Sequence, residues 1–67
     1  MNAAIEREAR AHGYGYHEVR RAVNLLIGWG VAKRDDAEAM VERWAAGGAD
    51  DLEVCARAAV EESERAR

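Results

Sequence analysis

Glycines divide this chain into segments in which apolar residues recur every three or four positions. In the clearest segment, which begins near Glu18 and ends near Trp29, the apolar residues are Val19, Ala22, Val23, Leu26 and Ile27. This spacing places them on one face of an amphipathic α-helix. No segment shows the two-residue alternation that is typical of a half-buried strand. The sequence therefore predicts an all-α fold, a compact bundle of four short helices without a sheet.

The third and fourth predicted helices begin with the same pattern. Asp35 and Asp50 are candidate N-caps, because a short carboxylate can accept hydrogen bonds from the free N–H groups of a first helical turn, and each is followed three residues later by a glutamate. Gly47 and Gly48 are expected to end the third helix. The predicted inward faces are Ala37, Met40, Val41 and Trp44 in the third helix and Leu52, Cys55, Ala56 and Ala59 in the fourth.

The chain is short enough to form a single helical domain, residues 1–67. A domain of this size buries only about 60% of the surface that its unfolded chain exposes. Much of the apolar fraction is alanine, which favours a helix but fills little volume. The first helix, roughly Ala3 to Ala11, is the weakest and turns Ile5 and Ala9 inward, and the tail 62–67 is expected to fray. We therefore expect a thin core and marginal stability.

The two halves of the chain carry opposite net charge. Residues 1–34 contain six basic and three acidic residues, whereas residues 35–67 contain four basic and ten acidic ones, and the net charge of the chain is −3. Part of this acidity has a local explanation, because acidic residues favour helix starts and an i, i+4 ladder of alternating sign runs from Glu53 to Arg65. The asymmetry nevertheless indicates a charged partner. The predicted acidic contact face is Asp35, Asp36, Glu38, Glu42, Asp50 and Asp51.

No arrangement of residues in the sequence indicates catalysis. Ser63 is the only hydroxyl nucleophile apart from the tyrosines, and no histidine lies near it. His12 and His17 are five residues apart across a helix break, so they do not share a helical face as a metal-binding pair would. Residues 13–16, Gly-Tyr-Gly-Tyr, lack the preceding strand and the third glycine of a phosphate loop. We therefore expect no enzymatic activity, no cofactor and no metal.

Cysteine content and hydropathy predict a cytoplasmic protein. Cys55 is the only cysteine, which excludes an intramolecular disulfide and suits a reducing compartment. No stretch approaches the roughly 18 consecutive apolar residues of a membrane span. Glu6 and Glu8 stand where a secretion signal would carry its apolar segment.

A glycine-aromatic loop between short helices is similar to the pattern of ubiquitin-associated domains. The residues that carry this resemblance are Gly13-Tyr14, Glu18-Val19, Ala22-Val23, Ala39 and Trp44. They cover about half of the chain. The resemblance implies a small helical module for protein interaction.

In size, acidity and alanine content, the whole chain also resembles small helical inhibitors encoded by phages, notably anti-CRISPR proteins. Many of those proteins present carboxylates to the basic surface on which a surveillance complex would hold DNA. The resemblance implies a non-enzymatic, stoichiometric inhibitor of a nucleic-acid-binding effector. The predicted acidic contact face would suit such a mechanism.

Two alternatives use other surfaces of the chain. Leu25 and Trp29 lie off the main apolar stripe of their helix, so together with Tyr14 they predict an apolar contact surface for a protein partner or a homodimer. A small DNA-binding regulator or antitoxin would instead need Arg20 and Arg21 exposed on one face. Since the chain is acidic overall, direct nucleic-acid binding is disfavoured.

Overall fold

The protein is built from four α-helices joined by short loops. The computed structural model describes all residues from Met1 to Arg67, and its helices are α1 (Ala3–His12), α2 (Tyr16–Gly28), α3 (Arg34–Ala46) and α4 (Leu52–Arg65). There is no strand, so the predicted all-α bundle is confirmed. None of the helices combines the length and the apolar character that crossing a membrane requires.

The helices are slightly longer than the sequence predicts. α2 begins at Tyr16, before the predicted start at Glu18. α1 continues to His12 and is capped by Gly13, whose φ of 78° is the left-handed conformation that glycine adopts readily. α4 continues to Arg65 through the segment that was expected to fray. There, Arg65 Nη2 lies 3.8 Å from Glu61 Oε2, one turn earlier. An ion pair at this i, i+4 spacing stabilises the last turn of the helix.

α2 and α4 lie side by side and run in the same direction. At their N-terminal ends, the Glu18 carboxylate accepts a hydrogen bond of 3.0 Å from the backbone N–H of Leu52. Towards their C-terminal ends, Trp29 and Val60 line the same concavity. α3 connects these two helices, and α1 packs mainly on α3 rather than on α2. The most extensive helix pairs are therefore not consecutive in the sequence.

Eleven buried apolar residues form the core, and five of them are alanines. The core residues are Ile5, Ala9, Val19, Ala22, Val23, Leu26, Ala37, Val41, Ala45, Leu52 and Ala56. Some residues that were predicted to point inward are only half-buried: Ile27, Met40, Trp44, Cys55 and Ala59. Of these, Ile27, Met40 and Trp44 pack against the outside of the core. The core is thin, as the composition predicts.

The N-caps of α3 and α4 differ from the predicted ones. The cap of α3 is Lys33, which makes no side-chain capping bond, and Asp35 lies within the first turn, where its charge favours the helix dipole. The cap of α4 is Asp51 rather than Asp50. Its Oδ1 accepts hydrogen bonds from the backbone N–H groups two and three residues later, at 2.9 and 3.2 Å. Both predicted caps are wrong: in α4 the adjacent Asp50 and Asp51 give the same pattern in two registers, whereas α3 begins at Arg34, one residue before Asp35, without a side-chain cap.

Candidate functional site

A partly apolar groove lies between α2 and α4. Trp29, which follows the last residue of α2, is 57% exposed. Leu25, one turn earlier, and Val60 on α4 are half-buried beside it. Together with Arg57 and Glu61, these residues line a concavity of about 140 Å³. Exposed apolar surface that is contiguous and bordered by polar residues is typical of an interaction site.

The groove continues towards the N-terminal end of α2. A second concavity, of about 380 Å³, shares Leu25 and Trp29 with the first. Its other lining residues are polar or small: Arg21, Asn24, Gly28 and Glu53. We call the two concavities together the Trp29 groove. Its apolar end lies beside Val60, and its polar end lies beside Arg21.

Charged residues of both signs border the Trp29 groove. Glu53, Arg57 and Glu61 line the groove from α4. Together with Arg65, one turn beyond Glu61, they form the predicted ladder of alternating sign, here called the α4 charge ladder. Arg57 Nη2 lies 4.0 Å from Glu53 Oε2, and Arg21 Nε from α2 lies 3.9 Å from Glu53 Oε1. Such exposed ion pairs contribute at most about 1 kcal/mol each to stability. Their charges therefore remain available to a partner.

Carboxylates gather at the N-terminal end of α4, a region we call the acidic pole. Glu18, Asp50, Asp51 and Glu53 line one concavity of about 310 Å³ there, with Arg21 as its single cation. Two of these carboxylates stabilise the fold, since Asp51 caps α4 and Glu18 binds the N–H of its first residue. The acidic pole thus contains only two of the predicted acidic contact residues, Asp50 and Asp51.

The six predicted acidic contact residues do not share one face. Asp35 and Asp36 are exposed in the first turn of α3, whereas Asp50 and Asp51 follow the opposite end of that helix. At a rise of about 1.5 Å per residue, the 13 residues of α3 separate the two pairs by roughly 20 Å. The acidic residues therefore form two distant groups.

Glu38 and Glu42 do not project freely from α3. Glu38 is only 5% exposed, which contradicts its predicted place on a contact face, and Glu42 is half-buried. Glu38 shares the inward side of α3 with Val41 and Ala45, so its methylene groups pack in the core. The Glu38 carboxylate makes no hydrogen bond or ion pair within the protein. Because no fully buried side-chain oxygen is left without a partner, its oxygens must reach water at the edge of the core.

Tyr14, predicted as an apolar contact residue, joins two loops of the protein. It is half-buried, and its hydroxyl donates a hydrogen bond to the backbone carbonyl of Ala49, which links the α1–α2 loop to the α3–α4 loop. Burial raises the pKa of the Tyr14 phenol, and the nearby carboxylate of Glu18 raises it further. The phenol is therefore neutral and acts as a donor within the fold. Of the three predicted apolar contact residues, only Leu25 and Trp29 line the groove.

The residues considered for metal or thiol chemistry lie apart from one another. His12 Nε2 is 3.7 Å from Glu8 Oε2 on the same helix, and His17 is exposed near the start of α2. Cys55 is a free, half-buried thiol on α4. No group of three or more His, Cys, Asp or Glu side chains is arranged to hold a metal ion.

A separate cleft opens between α1 and α2, because α1 packs mainly on α3. It has a volume of about 320 Å³ and is lined by Met1, Glu6, Ala9, Arg10, Tyr14, Tyr16 and Val19. Tyr16 is 56% exposed, and its hydroxyl accepts a long hydrogen bond of 3.5 Å from Arg20. No sequence pattern predicts this cleft, since it depends on which helices pair.

No protein-family model matches the chain, and comparison with curated proteins and with solved structures yields no match either.

Proposed function

We propose that this protein is a non-enzymatic binding module that makes a stoichiometric contact with another protein chain through the Trp29 groove. The observation that carries the proposal is Trp29, which is 57% exposed beside the half-buried Leu25 and Val60. Tryptophan is enriched among the interface residues whose truncation costs most binding energy. Burying apolar surface under a partner recovers about 25 cal/mol for each Å² removed from water.

The surroundings of Trp29 support the proposal. The apolar centre formed with Leu25 and Val60 is bordered by Arg57 and Glu61. Protein interfaces typically combine such a centre with a polar rim, whose charges fix orientation and partner choice. The predicted acidic contact residues, in contrast, are divided between the two ends of α3. The Trp29 groove is therefore the better supported contact surface.

Replacing Trp29 by alanine should abolish partner capture. Tagged protein is used as bait in a lysate of the cells that express it, and bound proteins are identified by mass spectrometry after washes at about 0.1 M and about 1 M salt. Because an apolar contact is not screened by salt, the wild type should keep its partner in both washes. Trp29→Ala should lose the partner in both.

The matched control is Tyr16→Ala. Tyr16 is 56% exposed and lies at the opposite end of α2, outside the Trp29 groove. This variant should capture the same partner as the wild type. If Trp29→Ala also retains that partner in both washes, the proposed contact surface is wrong.

The acidic pole favours a second candidate function, the inhibition of a nucleic-acid-binding complex such as a CRISPR effector by carboxylates that take the place of DNA phosphates. The supporting observation is that Asp50 and Asp51 lie with Glu18 and Glu53 around one cation. This phage-type inhibitor would give the opposite result, a partner lost at high salt and kept by Trp29→Ala. To test the acidic pole, the charge is reversed at Asp50, which is exposed. Asp51 is left unchanged, because it caps α4 and its replacement would also destabilise the helix.

Direct DNA binding has less support than either candidate. Arg20 and Arg21 are both exposed on α2. However, Arg21 Nε lies 3.9 Å from Glu53 Oε1, and the side chain borders the acidic pole. A phosphate backbone that approached Arg21 would meet four carboxylates, which oppose the neutralisation on which such binding depends.

We further propose a reducing, cytoplasmic location. Cys55 is a free thiol, and its half-buried position on α4 leaves it open to oxidation in an oxidising compartment.

A further inference from the structure

We propose that the partner seated in the Trp29 groove is a second copy of this chain, related to the first by a two-fold axis. This inference rests on the proposed function, because it names the occupant of the same groove. Two observations carry it: the order of the charges along α4, and the position of Trp29 relative to them.

The α4 charge ladder is complementary to its own reverse. From the N-terminus, the signs run negative, positive, negative, positive; in the opposite direction each sign is inverted. If two copies of α4 lie antiparallel about a point between Arg57 and Glu61, then Arg57 faces Glu61 of the second copy, and Glu53 faces Arg65 of the second copy. A two-fold axis generates this pairing, since every contact then occurs twice with the roles exchanged. All charges of the ladder thus meet opposite charges.

The apolar end of the groove lies at the midpoint of this ladder. Leu25, Trp29 and Val60 share one concavity with Arg57 and Glu61, the two residues that flank the axis. The axis therefore passes close to Trp29, and the two indoles approach each other at the centre of the interface. The charges form the rim. Central aromatic residues supply most of the binding energy in such an arrangement, and rim charges fix the register.

Helix geometry is compatible with this dimer. Residues spaced by four form a ridge that is inclined by about 26° to the helix axis, and two such ridges packed together make helices cross at about 50°. A standard interface covers about 800 Å² on each partner. That area is roughly a fifth of the 4447 Å² surface of this chain.

Sedimentation equilibrium of the purified protein tests the inference directly. Between about 10 μM and about 1 mM chain, the mass should rise from that of the 7.4 kDa chain towards twice this value. Trp29→Ala should raise the dissociation constant of the dimer at least about thirty-fold, whereas Tyr16→Ala should leave it unchanged. Far-UV circular dichroism checks that each variant is folded. A wild type that stays monomeric throughout this range would overturn the inference.

A charge-swap experiment tests the antiparallel register. In Arg57→Glu, residue 57 faces Glu61 of the second copy with the same sign, and in Glu61→Arg, residue 61 faces Arg57 of the second copy with the same sign. Each variant alone should dimerise about five- to tenfold more weakly than the wild type at low salt. An equimolar mixture of the two should regain affinity, because each meets its opposite charge in the other. A mixture no tighter than its components would contradict the two-fold register.

These measurements separate the inference from the proposed function. If the protein is monomeric but captures a different protein in a Trp29-dependent manner, the groove is a binding site and the second copy is the wrong occupant. If the protein dimerises through Trp29, both statements hold. If neither dimerisation nor capture depends on Trp29, both are wrong.

Discussion

The Tyr14 hydroxyl connects positions that are 35 residues apart in the sequence. It reaches the carbonyl of Ala49, shortly before α4 begins, while its ring packs against the core. The sequence predicts an apolar contact residue at Tyr14. It gives no sign of this hydrogen bond, because the acceptor is a backbone carbonyl, which any residue type supplies. At this position, the contribution of the side chain to folding could not be deduced from the residue pattern.

Removing this hydroxyl should destabilise the fold. Tyr14→Phe should lower the free energy of unfolding by about 1 kcal/mol, because it leaves the Ala49 carbonyl without its donor. For a domain of this size, the loss corresponds to roughly 4–8 °C in melting temperature, measured by circular dichroism. Tyr16→Phe, which removes an exposed hydroxyl, is the control and should stay within about 0.5 kcal/mol of the wild type. Equal melting temperatures for Tyr14→Phe and the wild type would contradict the stabilising role.

The raised pKa of Tyr14 predicts a loss of stability at alkaline pH. Since the phenol holds its proton more tightly in the folded state, its contribution is complete below the unfolded pKa of about 10 and is lost as the pH rises through the higher folded pKa. Urea unfolding at several pH values from neutral to strongly alkaline should show a steeper decline above this point for the wild type than for Tyr14→Phe. Parallel pH profiles would show that Tyr14 is not the group responsible.

At the scale of a single element, α4 shows that a helix start can depend on a distant helix. Its cap is Asp51, and the N–H of Leu52 binds the Glu18 carboxylate 34 residues earlier in the chain. The sequence predicts the helix and an aspartate cap, but it places the cap one residue too early. The contribution of Glu18 leaves no local pattern, because it requires α2 and α4 to lie side by side.

The two aspartates before α4 should respond differently to truncation. Asp51→Ala should cost about 1 kcal/mol of unfolding free energy, because two N–H groups of the first turn lose their acceptor. Asp50→Ala removes an exposed carboxylate that makes no capping bond, so it should change stability by less than about 0.5 kcal/mol. Urea titration of the two variants measures the difference. A larger loss for Asp50→Ala would favour the register that the sequence predicts.

Periodicity predicts the inward stripe of an element better than it predicts the width of that stripe. Leu25 and Trp29 were expected to lie off the main stripe of α2, and both line the groove. Glu38, in contrast, was expected to be exposed and is buried. The spacing of residues defines the direction of each side chain, but the neighbouring helices decide how far the burial extends. The place of Val60 in the lining of the groove could not be predicted from the sequence, because it depends on the packing of α4 beside α2.

At the scale of the whole molecule, the charge division of the sequence does not become a division of the surface. The acidic half supplies α3 and α4, and each of these helices packs against a helix from the basic half. Asp35 and Asp36 therefore lie far from Asp50 and Asp51, although all four belong to the same half of the sequence. Which helices pair is a global property, and the residue pattern of each helix alone does not define it.

Because the core is thin, association with a partner would add appreciably to the free energy of unfolding. Its eleven buried apolar residues include only six larger than alanine. A core of this size leaves a small free energy of unfolding, and any partner that binds only the folded state adds to it. A partner that occupied the Trp29 groove would therefore also stabilise the fold.

The pairing of α2 with α4 also has a consequence for the synthesis of the protein. α2 supplies four of the core residues, and its main neighbour, α4, is translated after α1, α2 and α3. When α1, α2 and α3 have left the ribosome, one side of α2 still lacks the helix that covers it, and those three helices cannot complete the core. The core of the nascent chain is therefore incomplete until α4 has emerged and supplied Leu52 and Ala56.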